Sequence, residues 1–456
     1  MPIAKNLFAK YDMPGPRYTS YPTVPFWEET GFSEAAWIHR LARAFEATNA
    51  SKGISLYVHL PYCERLCTFC GCTRQISRNH AVEAPYISRL LEEWAVHQAR
   101  FAARPRIREL HLGGGTPTFF SPDNLARLVD GLLSGAELTP DAQLSFEAHP
   151  NSTTPEHLKR LGELGFTRLS LGVQDLDPEV QRAINRFHAF EQIAAVTRAA
   201  RDYGYDSVNF DLIHGLPRQR PAGVERTFEE ILELSPERIA FYGYAHVPWR
   251  KGVAQRGFDD SEIPRGAAKR QLYELGRQML TASGYLEIGL DHFARPGDPL
   301  HRAARQGTLH RNFMGYTPVA TRVTIGLGMS AISDSGDAFA QNEKTVKAWA
   351  SRVSEGRLPL ARGHLLDAED RLIRGHIQDL MCRLETRWPP GPVLPTVLDD
   401  ARARLADPEA DGLVRVDETG VRVTRKGRPF LRNVCMAFDA RFWRSRPQAQ
   451  LFSRAI

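Results

Sequence analysis

Short apolar runs alternate with amphipathic stretches through the first half of the chain. The runs are ISLYVHL (54–60), ELHLGGG (109–115), LSFEAHP (144–150), RLSLGVQ (168–174), SVNFDLIHG (207–215) and RIAFYGY (238–244). Between two of them, PEHLKRLGELG (155–165) has leucines near helical spacing, with Thr154 placed to cap the helix and Gly165 to end it. This alternation is typical of βα units, and it predicts an α/β fold built as a partial barrel of parallel strands.

The pattern changes after about residue 300. We predict helices around 340–355 and 367–385, and residues 399–435 have the helix, hairpin, helix order of a winged helix. Because winged helices often bind DNA, a DNA-binding regulator is one interpretation. The segment occurs once and has few basic residues, which favours a cap on an enzyme. We therefore divide the chain into an N-terminal segment (1–50) that serves as an active-site lid, a barrel (51–300) and a mostly helical C-terminal domain (301–456).

Cys63, Cys67 and Cys70 follow the first predicted strand, in the run YVHLPYCERLCTFCGC (57–72). Three thiolates at C-x3-C-x2-C spacing can hold three irons of a 4Fe–4S cluster and leave one iron open to S-adenosylmethionine. A zinc site with Cys72 as fourth ligand and a short disulfide cluster are the alternatives. Zinc ligands usually come in two separated pairs, so the compact spacing favours the cluster.

Polar and glycine residues follow other predicted strands. They are the range Gly113–Gly115 with Thr116, then Glu147, Gln174 and Asp211. Because the carboxyl ends of parallel strands meet at one edge of a barrel, we expect these residues to face the cysteines. The glycine amides and the Thr116 hydroxyl would receive a carboxylate, and Glu147 would receive an ammonium group or ribose hydroxyls.

Composition narrows the setting. The chain of 456 residues is 42% hydrophobic, which suits one large domain with a smaller one. The N-terminus lacks an apolar leader and no apolar run reaches the ~18 residues that span a bilayer, so we expect a cytoplasmic protein. Cys382 and Cys435 are expected to be packing residues. The net charge of +6 is dispersed, which predicts a solvated basic face or a pocket for carboxylates and no specific nucleic-acid partner.

Longer segments carry a family resemblance over nearly the whole chain. They include YDMPGPRYTSYPT (11–23), the cysteine run, HLGGGTPT, RLSLGVQD, NFDLIHGLP, YAHVP, GLDHFARP (289–296), LHRNFMGYT (309–317) and RNVCMAFD. The chain resembles the oxygen-independent coproporphyrinogen III dehydrogenases, a family of radical S-adenosylmethionine enzymes. The related haem chaperones usually lack a cysteine at the position of Cys72 and most of the N-terminal pattern.

The resemblance implies a partial (β/α)6 barrel, a 4Fe–4S cluster on Cys63, Cys67 and Cys70, and two molecules of S-adenosylmethionine. The positions matched to the first molecule are Tyr57, Gly114, Glu147 and Ile332. Those matched to the second are Phe69, Gly115, Thr116, Gln174, Arg186, Asp211 and Ala245. Within these sets, the resemblance gives Tyr57, Glu147 and Arg186 catalytic roles, and Cys72 is not a cluster ligand.

The implied activity is that of a radical oxidoreductase of haem biosynthesis, which decarboxylates two propionates of coproporphyrinogen III to give protoporphyrinogen IX. It requires an electron donor and an acceptor that the sequence does not identify, and we expect a monomer. Arg17, Arg295 and Arg311 are candidates to bind the substrate's carboxylates.

The chain departs from the family pattern at a few positions. Met314 replaces a common Gln, His214 a common Tyr, and the run 321–324 (Thr-Arg-Val-Thr) an Asp-Thr-Asp-Leu pattern. These departures keep two alternatives open: a radical enzyme acting on another tetrapyrrole, and a non-catalytic haem-binding chaperone.

Overall fold

The computed structural model describes residues 5–28, 30–250, 252–255, 257–445 and 450–455. Its strands are β1 (Ile54–Leu60), β2 (Tyr62–Cys63), β3 (Gln75–Ile76), β4 (Arg106–Gly114), β5 (Glu137–Ala148), β6 (Arg168–Gln174), β7 (Ser207–His214), β8 (Arg238–Gly243), β9 (Leu286–Ile288), β10 (His292–Ala294), β11 (His310–Asn312), β12 (Gly315–Thr317), β13 (Thr324–Leu327), β14 (Ile332–Asp334), β15 (Ala338–Asn342), β16 (Leu360–Leu365), β17 (Glu385–Arg387), β18 (Val414–Val416) and β19 (Gly420–Val423).

Helices precede, separate and follow these strands. They are α1 (Lys5–Tyr11), α2 (Glu34–Lys52), α3 (Glu83–Gln98), α4 (Pro122–Ser134), α5 (Pro155–Glu163), α6 (Pro178–Ile184), α7 (Phe190–Asp202), α8 (Pro221–Glu233), α9 (Gly266–Ala282), α10 (Pro299–Gln306), α11 (Val346–Ser354), α12 (Ala368–Arg383), α13 (Thr396–Arg404), α14 (Ala406–Ala410), α15 (Leu431–Phe438) and α16 (Ala440–Ser445). Among the described residues, no helix has the length and apolar content needed to cross a membrane.

One twelve-stranded sheet organises the described residues, in the order β16-β15-β14-β13-β1-β4-β5-β6-β7-β8-β10-β9. The neighbours from β13 to β8 pair in parallel, which confirms the α/β partial barrel and the six strands predicted from the apolar runs. The register sets Tyr57 beside His111 and Glu147 beside Ser170. These side chains face the interior of the barrel, which we call the lumen.

The outer face of the sheet is covered by helices whose apolar stripes enter one large core. Leu56 of β1, Trp94 of α3, Leu128 of α4 and Phe228 of α8 are fully buried members of this core. Helix α5 begins at the cap predicted for it, because the Thr154 side chain accepts a hydrogen bond from the third helical amide. Burial of the outward side chains leaves the opposite, lumen-facing side chains free to be polar.

The sheet continues past residue 300, where the sequence analysis began a helical domain. Strand β13 lies parallel to β1, with Ile325 beside Leu56, and β14 to β16 extend the edge in antiparallel fashion. Residues 324–365 therefore belong to the same sheet as the earlier strands. Their runs are only three to six residues long and are broken by glycine and serine, so they carry no readable strand period.

A second core joins α12, α13 and α15 to the three-stranded sheet β17-β19-β18. The predicted hairpin within residues 399–435 is present as β18 and β19, while its classification as a winged helix stays a prediction. The N-terminal segment packs on this unit. Tyr18 donates a hydrogen bond to Asp439 over 3.0 Å, and Arg432 donates to the Pro16 carbonyl over 3.1 Å. Its role as a lid also stays a prediction.

Candidate active site

The cysteine loop, residues 61–77, leaves the carboxyl end of β1 at the mouth of the lumen. Cys63 ends the two-residue strand β2, and the Cys70 amide donates to the Cys67 carbonyl over 3.2 Å. Cys63, Cys67 and Cys70 are half-buried, whereas Cys72 is exposed. Exposure therefore separates Cys72 from the other three cysteines, and the three-ligand set stays a prediction.

Two contacts from distant parts of the chain fix this loop. The Thr68 hydroxyl donates to the Ala183 carbonyl at the end of α6 over 2.8 Å. The Gln255 amide donates to the carbonyls of Phe69 over 2.8 Å and Ala245 over 2.9 Å. Phe69 and Ala245, both predicted site residues, are thus joined through one side chain. A loop held between Cys67 and Cys70 by these two contacts can present its thiols in a constant geometry.

Donors and a cation face the sulfurs. The Thr116 hydroxyl donates to the Cys63 sulfur over 3.3 Å, and an Arg186 Nη1 group donates to the Cys67 sulfur over 3.7 Å. Burial raises the pKa of Cys63 to about 11, while a hydrogen bond from the Cys72 thiol lowers the pKa of Cys70 to about 6. Hydrogen bonds to sulfur and a nearby guanidinium suit thiolate ligands of an iron–sulfur cluster.

The same geometry bears on the zinc alternative. In the described ranges, no three His, Cys, Asp or Glu side chains converge as a single metal ion requires. The thiolates of a 4Fe–4S cluster bind different irons and need no such convergence. The Thr116 and Arg186 donors at the sulfurs suit the cluster that the cysteine spacing predicts.

The glycines after β4 have a different role from the expected one. The Gly115 amide donates to the Leu60 carbonyl over 2.9 Å, and the Gly114 amide donates to a Glu147 carboxylate oxygen over 3.1 Å. The expectation that these amides form an open cradle for a carboxylate is therefore wrong for this structure. What requires glycine is close approach, because a Cβ on Gly115 would lie 2.4 Å from the Pro61 carbonyl oxygen.

Tyr57 is oriented by a neutral histidine. His59 Nε2 lies 2.9 Å from the Thr73 carbonyl, which can only accept, so Nε2 carries the proton and Nδ1 accepts from the Tyr57 hydroxyl over 3.0 Å. Burial lowers the pKa of His59 and raises that of Tyr57. The phenol is thus a fixed, protonated group that faces the lumen.

Glu147 is an ionised carboxylate at the end of β5. Desolvation alone would raise its pKa, but the hydrogen bond and charge of His111, 3.5 Å away, and the Gly114 amide lower the pKa overall. Its side chain keeps 44% of its surface exposed. Glu147 therefore retains capacity to bind a cationic or hydroxyl-bearing ligand.

Asp211 and Gln174 lie on the next strands. The Asp211 carboxylate accepts from Ser170 over 2.8 Å and from the Asn209 amide over 2.9 Å, and burial raises its pKa to about 6. Gln174 ends β6 with a left-handed backbone (φ 67°). Strands β1, β5, β6 and β7 thus bring Tyr57, Glu147, Gln174 and Asp211 to the same end of the barrel.

Arg186 and Ile332 complete the predicted set. One Arg186 Nη group donates to the Gly172 carbonyl, and a Cβ on Gly172 would lie 2.7 Å from that nitrogen. Glycine is therefore needed for the guanidinium to reach Cys67. Ile332 begins β14, where its carbonyl crowds Gly326 of β13 beside β1.

The sequence analysis missed a polar group on the far side of the lumen. Asp291 Oδ1 lies 2.7 Å from His292 Nδ1, and His292 Nε2 lies 3.4 Å from the Tyr242 hydroxyl. Tyr242 lies in register with Ile213, two residues beyond Asp211, so its side chain shares the lumen with the predicted residues. Burial and the charges of Asp211, Asp291 and Glu147 raise the pKa of Tyr242. The signal available was the adjacent Asp-His pair in GLDHFARP, on strands too short to predict.

The three arginine candidates separate in the structure. Arg17 donates to the Gly243 carbonyl at the carboxyl end of β8, and Arg311 lies in β11 with its guanidinium 4.5 Å from the Tyr316 ring. Arg295 follows Ala294, which pairs with the first residue of β8, and so lies at the opposite end of the barrel. The expectation that Arg295 binds the substrate is therefore wrong.

Two departures from the family pattern point away from the lumen. His214 packs on the outer face of β7, 5.0 Å from the Phe241 ring and 5.2 Å from the Tyr273 ring. Arg322 precedes β13, at the amino end of the parallel strands, and lies 3.6 Å from Asp337. Met314 lies at the tip of the β11–β12 hairpin, where its amide donates to Asn312 over 2.9 Å.

A cavity of about 1630 Å³ lies outside the barrel, along α9. Arg270, Arg277, Arg425 and Arg428 are among its basic lining residues, and none of the cysteines lines it. It is therefore separate from the cysteine loop, although its inner wall reaches Arg17, Asp291 and Arg432.

Comparisons with known proteins show the family of the chain. Residues 57–231 match the family model of the Radical SAM superfamily. The chain is 40% identical to the oxygen-independent coproporphyrinogen III oxidase of Escherichia coli (strain K12) over 99% of this chain and 98% of the relative. It is 38% identical to the oxidase of that name from Pseudomonas aeruginosa, over 99% and 98%. The solved structure of coproporphyrinogen III oxidase (HemN) from Escherichia coli, described as a radical SAM enzyme, superposes with a TM-score of 0.87 at 39% identity, covering 93% of this chain and 97% of that one.

Proposed function

The chain belongs to the family of oxygen-independent coproporphyrinogen III oxidases, which are radical SAM enzymes, and from this premise we propose its reaction. It oxidatively decarboxylates two propionates of coproporphyrinogen III to vinyl groups, giving protoporphyrinogen IX in haem biosynthesis. The observation that carries the proposal is the cysteine loop at the mouth of a polar lumen, in a chain that its relatives match from end to end.

Cys63, Cys67 and Cys70 would hold the 4Fe–4S cluster, and its open iron would take S-adenosylmethionine. When bound, these groups supply a 5′-deoxyadenosyl radical, which can remove a hydrogen atom from an unactivated carbon. The protein's task is to bind, orient and exclude competing reactions.

The ionised Glu147 and the fixed Tyr57 phenol support a first S-adenosylmethionine site, which Gly114 and Ile332 complete. Glu147 offers a charge partner for a sulfonium or ammonium group, and its exposed surface leaves room for one. Tyr57 can donate to a ligand oxygen without losing its proton, since its pKa is raised.

We assign a second S-adenosylmethionine molecule to the remaining matched positions: Phe69, Gly115, Thr116, Gln174, Arg186, Asp211 and Ala245. Arg186 and Asp211 supply opposite charges for the carboxylate and ammonium of an amino acid moiety. Because Arg186 also contacts the Cys67 sulfur, this site and the cluster are physically coupled.

The reaction balances for each propionate as follows. The propionate β-carbon gives a hydrogen atom to the 5′-deoxyadenosyl radical. The bond between the α-carbon and the carboxylate carbon breaks, carbon dioxide leaves, the α- and β-carbons become the vinyl double bond, and one electron passes to an acceptor. A one-electron donor must reduce the cluster before each event. We propose that donor and acceptor are separate molecules and that the chain acts as a monomer.

The alternatives are another tetrapyrrole substrate and a non-catalytic haem-binding role. Two of the departures that raised them, His214 and Arg322, face away from the lumen, which favours the main proposal.

Anaerobic reconstitution with iron and sulfide, followed by incubation with a reductant, S-adenosylmethionine and coproporphyrinogen III, tests the proposal. We expect 5′-deoxyadenosine together with the monovinyl and divinyl products by mass spectrometry. Deoxyadenosine without vinyl product would point to another substrate, and haem binding without deoxyadenosine would point to the chaperone role.

A further inference from the structure

Arg311 is a buried cation with unused donors. Its side chain lies in β11 and the residue is only 7% exposed. In the described structure, its Nε and Nη1 atoms are buried and have no hydrogen-bond partner. A buried guanidinium with open donors is costly unless an acceptor completes it, so its surroundings should indicate which acceptor is missing.

Those surroundings are short of negative charge. Arg17, Arg432 and Asp291 all line the inner wall of the cavity along α9. The Tyr316 ring joins Arg311 to this group, because it lies 4.5 Å from the Arg311 guanidinium and 5.3 Å from the ring of His292, which contacts Asp291. Arg432 donates to main-chain carbonyls of Pro16 and Arg454 over 3.1 and 3.0 Å, which supplies hydrogen bonds but no countercharge. Three arginines thus share one aspartate, and a further anion would be favourable.

Asp291 cannot balance the three by itself. Burial would raise its pKa, but the hydrogen bond from His292 and the charges of Arg311 and Arg17 lower the pKa overall. Its Oδ1 is already 2.7 Å from His292. Arg17 retains a buried, unpartnered Nε beside its bond to the Gly243 carbonyl. Open donors therefore remain on two of the three arginines.

The lumen lies next to this cluster. The Tyr316 ring that packs on Arg311 also packs on His292, whose Nε2 lies 3.4 Å from the lumen-facing Tyr242 hydroxyl. These contacts link the arginine to the lumen that holds the carboxylates assigned to S-adenosylmethionine. An anion bound at Arg311 would therefore be close to the reacting centre.

We propose that Arg311, with Arg17 beside it, is an anchor site for one propionate carboxylate of the tetrapyrrole. The site rests on the proposed function, since it takes its ligand from that substrate. Coproporphyrinogen III carries four propionates, and holding one of them fixes the ring so that another is presented to the radical. The acceptor oxygens of a carboxylate match the open guanidinium donors, and its charge offsets the surplus.

Fluorescence titration with coproporphyrin III, the stable oxidised form of the substrate, tests the anchor without requiring turnover. Arg311→Met keeps an unbranched, apolar side chain but removes the charge. We expect its Kd to rise about 10- to 100-fold, as loss of a charged hydrogen bond usually produces. Arg311→Lys should be intermediate, and Arg17→Gln should weaken binding by a smaller factor.

Arg295→Met is the matched control, because Arg295 also lies over a tyrosine ring, 5.3 Å from Tyr285, but at the other end of the barrel. Its Kd should stay within about twofold of the unaltered protein. The cluster absorbance should be unchanged in every folded variant, and Arg295→Met should also keep the substrate-free cleavage of S-adenosylmethionine.

The outcomes separate the anchor from the proposed function. If the Kd of Arg311→Met equals that of the unaltered protein, the anchor is overturned even if the protein makes vinyl product. If Arg311→Met does not fold, an unaltered Kd in both Arg17→Gln and Arg311→Lys overturns it. Weakened binding in Arg311→Met, in a protein that makes no vinyl product, would support the anchor and overturn the proposed reaction.

Discussion

Two glutamates on adjacent strands of the barrel show how its two ends differ. Glu109, near the amino end of β4, is 5% exposed and accepts hydrogen bonds from Ser55 over 2.9 Å and Thr317 over 2.8 Å. Glu147, near the carboxyl end of β5, is 44% exposed in its side chain and has fewer partners than a carboxylate can accept. The Glu109 carboxylate is thus held by protein donors, whereas the Glu147 carboxylate keeps capacity for a ligand.

The arginines repeat this difference. Arg238 and Asp298, at the amino end of β8, form a buried ion pair at 2.8 Å with one carboxylate for one cation. Arg17, Arg311 and Arg432, near the carboxyl end, share Asp291. We therefore expect similar residue types to stabilise the amino end and to bind ligands at the carboxyl end.

The largest effect should come from the cysteines. Replacing Cys63, Cys67 or Cys70 by Ser should remove the cluster or make it labile, and it should stop S-adenosylmethionine cleavage, because each thiolate holds a different iron. Cys72→Ser is the control and should retain iron, since Cys72 is exposed. Iron analysis of the four variants checks this, and equal iron loss in all four would favour a four-cysteine site.

Glu147→Gln and Glu109→Gln should have opposite effects: the first on turnover, the second on stability. Glu147→Gln should reduce turnover about 100-fold or more, with little change in Tm, because a ligand loses its charged partner. Glu109→Gln should lower the free energy of unfolding by about 1.5–3 kcal/mol, through weakened hydrogen bonds to Ser55 and Thr317, and leave turnover nearly intact.

Thermal melts and steady-state rates of both glutamine variants measure their stability and their turnover. If Glu109→Gln abolished turnover below its Tm, or Glu147→Gln acted only on stability, the contrast between the two ends would be lost.

Much of this architecture is readable from the sequence, because it depends on local pattern. Strand β1 and strand β6 have the predicted bounds, since their apolar runs are buried on the face toward the helices. Strands β13 to β16 were not predicted, because three to six residues acquire strand structure only by pairing with a distant neighbour.

Some site residues are likewise predictable from local sequence, whereas others are placed only by long-range contacts. The spacing of Cys63, Cys67 and Cys70 is local and gave the cluster prediction. Arg311 and Arg295 look alike in sequence, since each lies at or beside a short strand. The register of β10 against β8 places Arg295 at the amino end of β8, whereas the contact of Arg311 with Tyr316, whose ring packs on His292, places Arg311 beside the lumen. The Gly115 amide is likewise occupied because its segment lies against the end of β1, and a run of glycines in the sequence does not predict that neighbour.

A smaller effect is expected at Arg186. Arg186→Ala should reduce S-adenosylmethionine binding from two sites to one, because the guanidinium is the assigned carboxylate partner. It should also change the cluster's reduction potential, since the cation lies 3.7 Å from the Cys67 sulfur. Equilibrium dialysis and a redox titration measure the two effects, with Arg182→Ala, an exposed arginine on α6, as control. A single site in the unaltered protein would sink the two-molecule assignment.

The smallest effect should be a pH dependence of stability at Asp211. Burial raises its pKa to about 6 from an unfolded value near 3.8, so the folded state holds a proton that the unfolded state releases between these values. Asp211 therefore makes the protein less stable as pH rises from about 4 to 6. Asp211→Asn should flatten this part of the stability profile, measured by denaturant unfolding at fixed pH values. A profile identical to that of the unaltered protein would show that Asp211 titrates normally.

The most direct test of the central claim follows a labelled hydrogen atom. Coproporphyrinogen III deuterated at the propionate β-carbons should be turned over by the reconstituted, unaltered protein with deuterium transferred into 5′-deoxyadenosine, one deuterium for each vinyl group formed. Vinyl product accompanied by unlabelled deoxyadenosine, or labelled substrate recovered unchanged beside deoxyadenosine, would contradict the account.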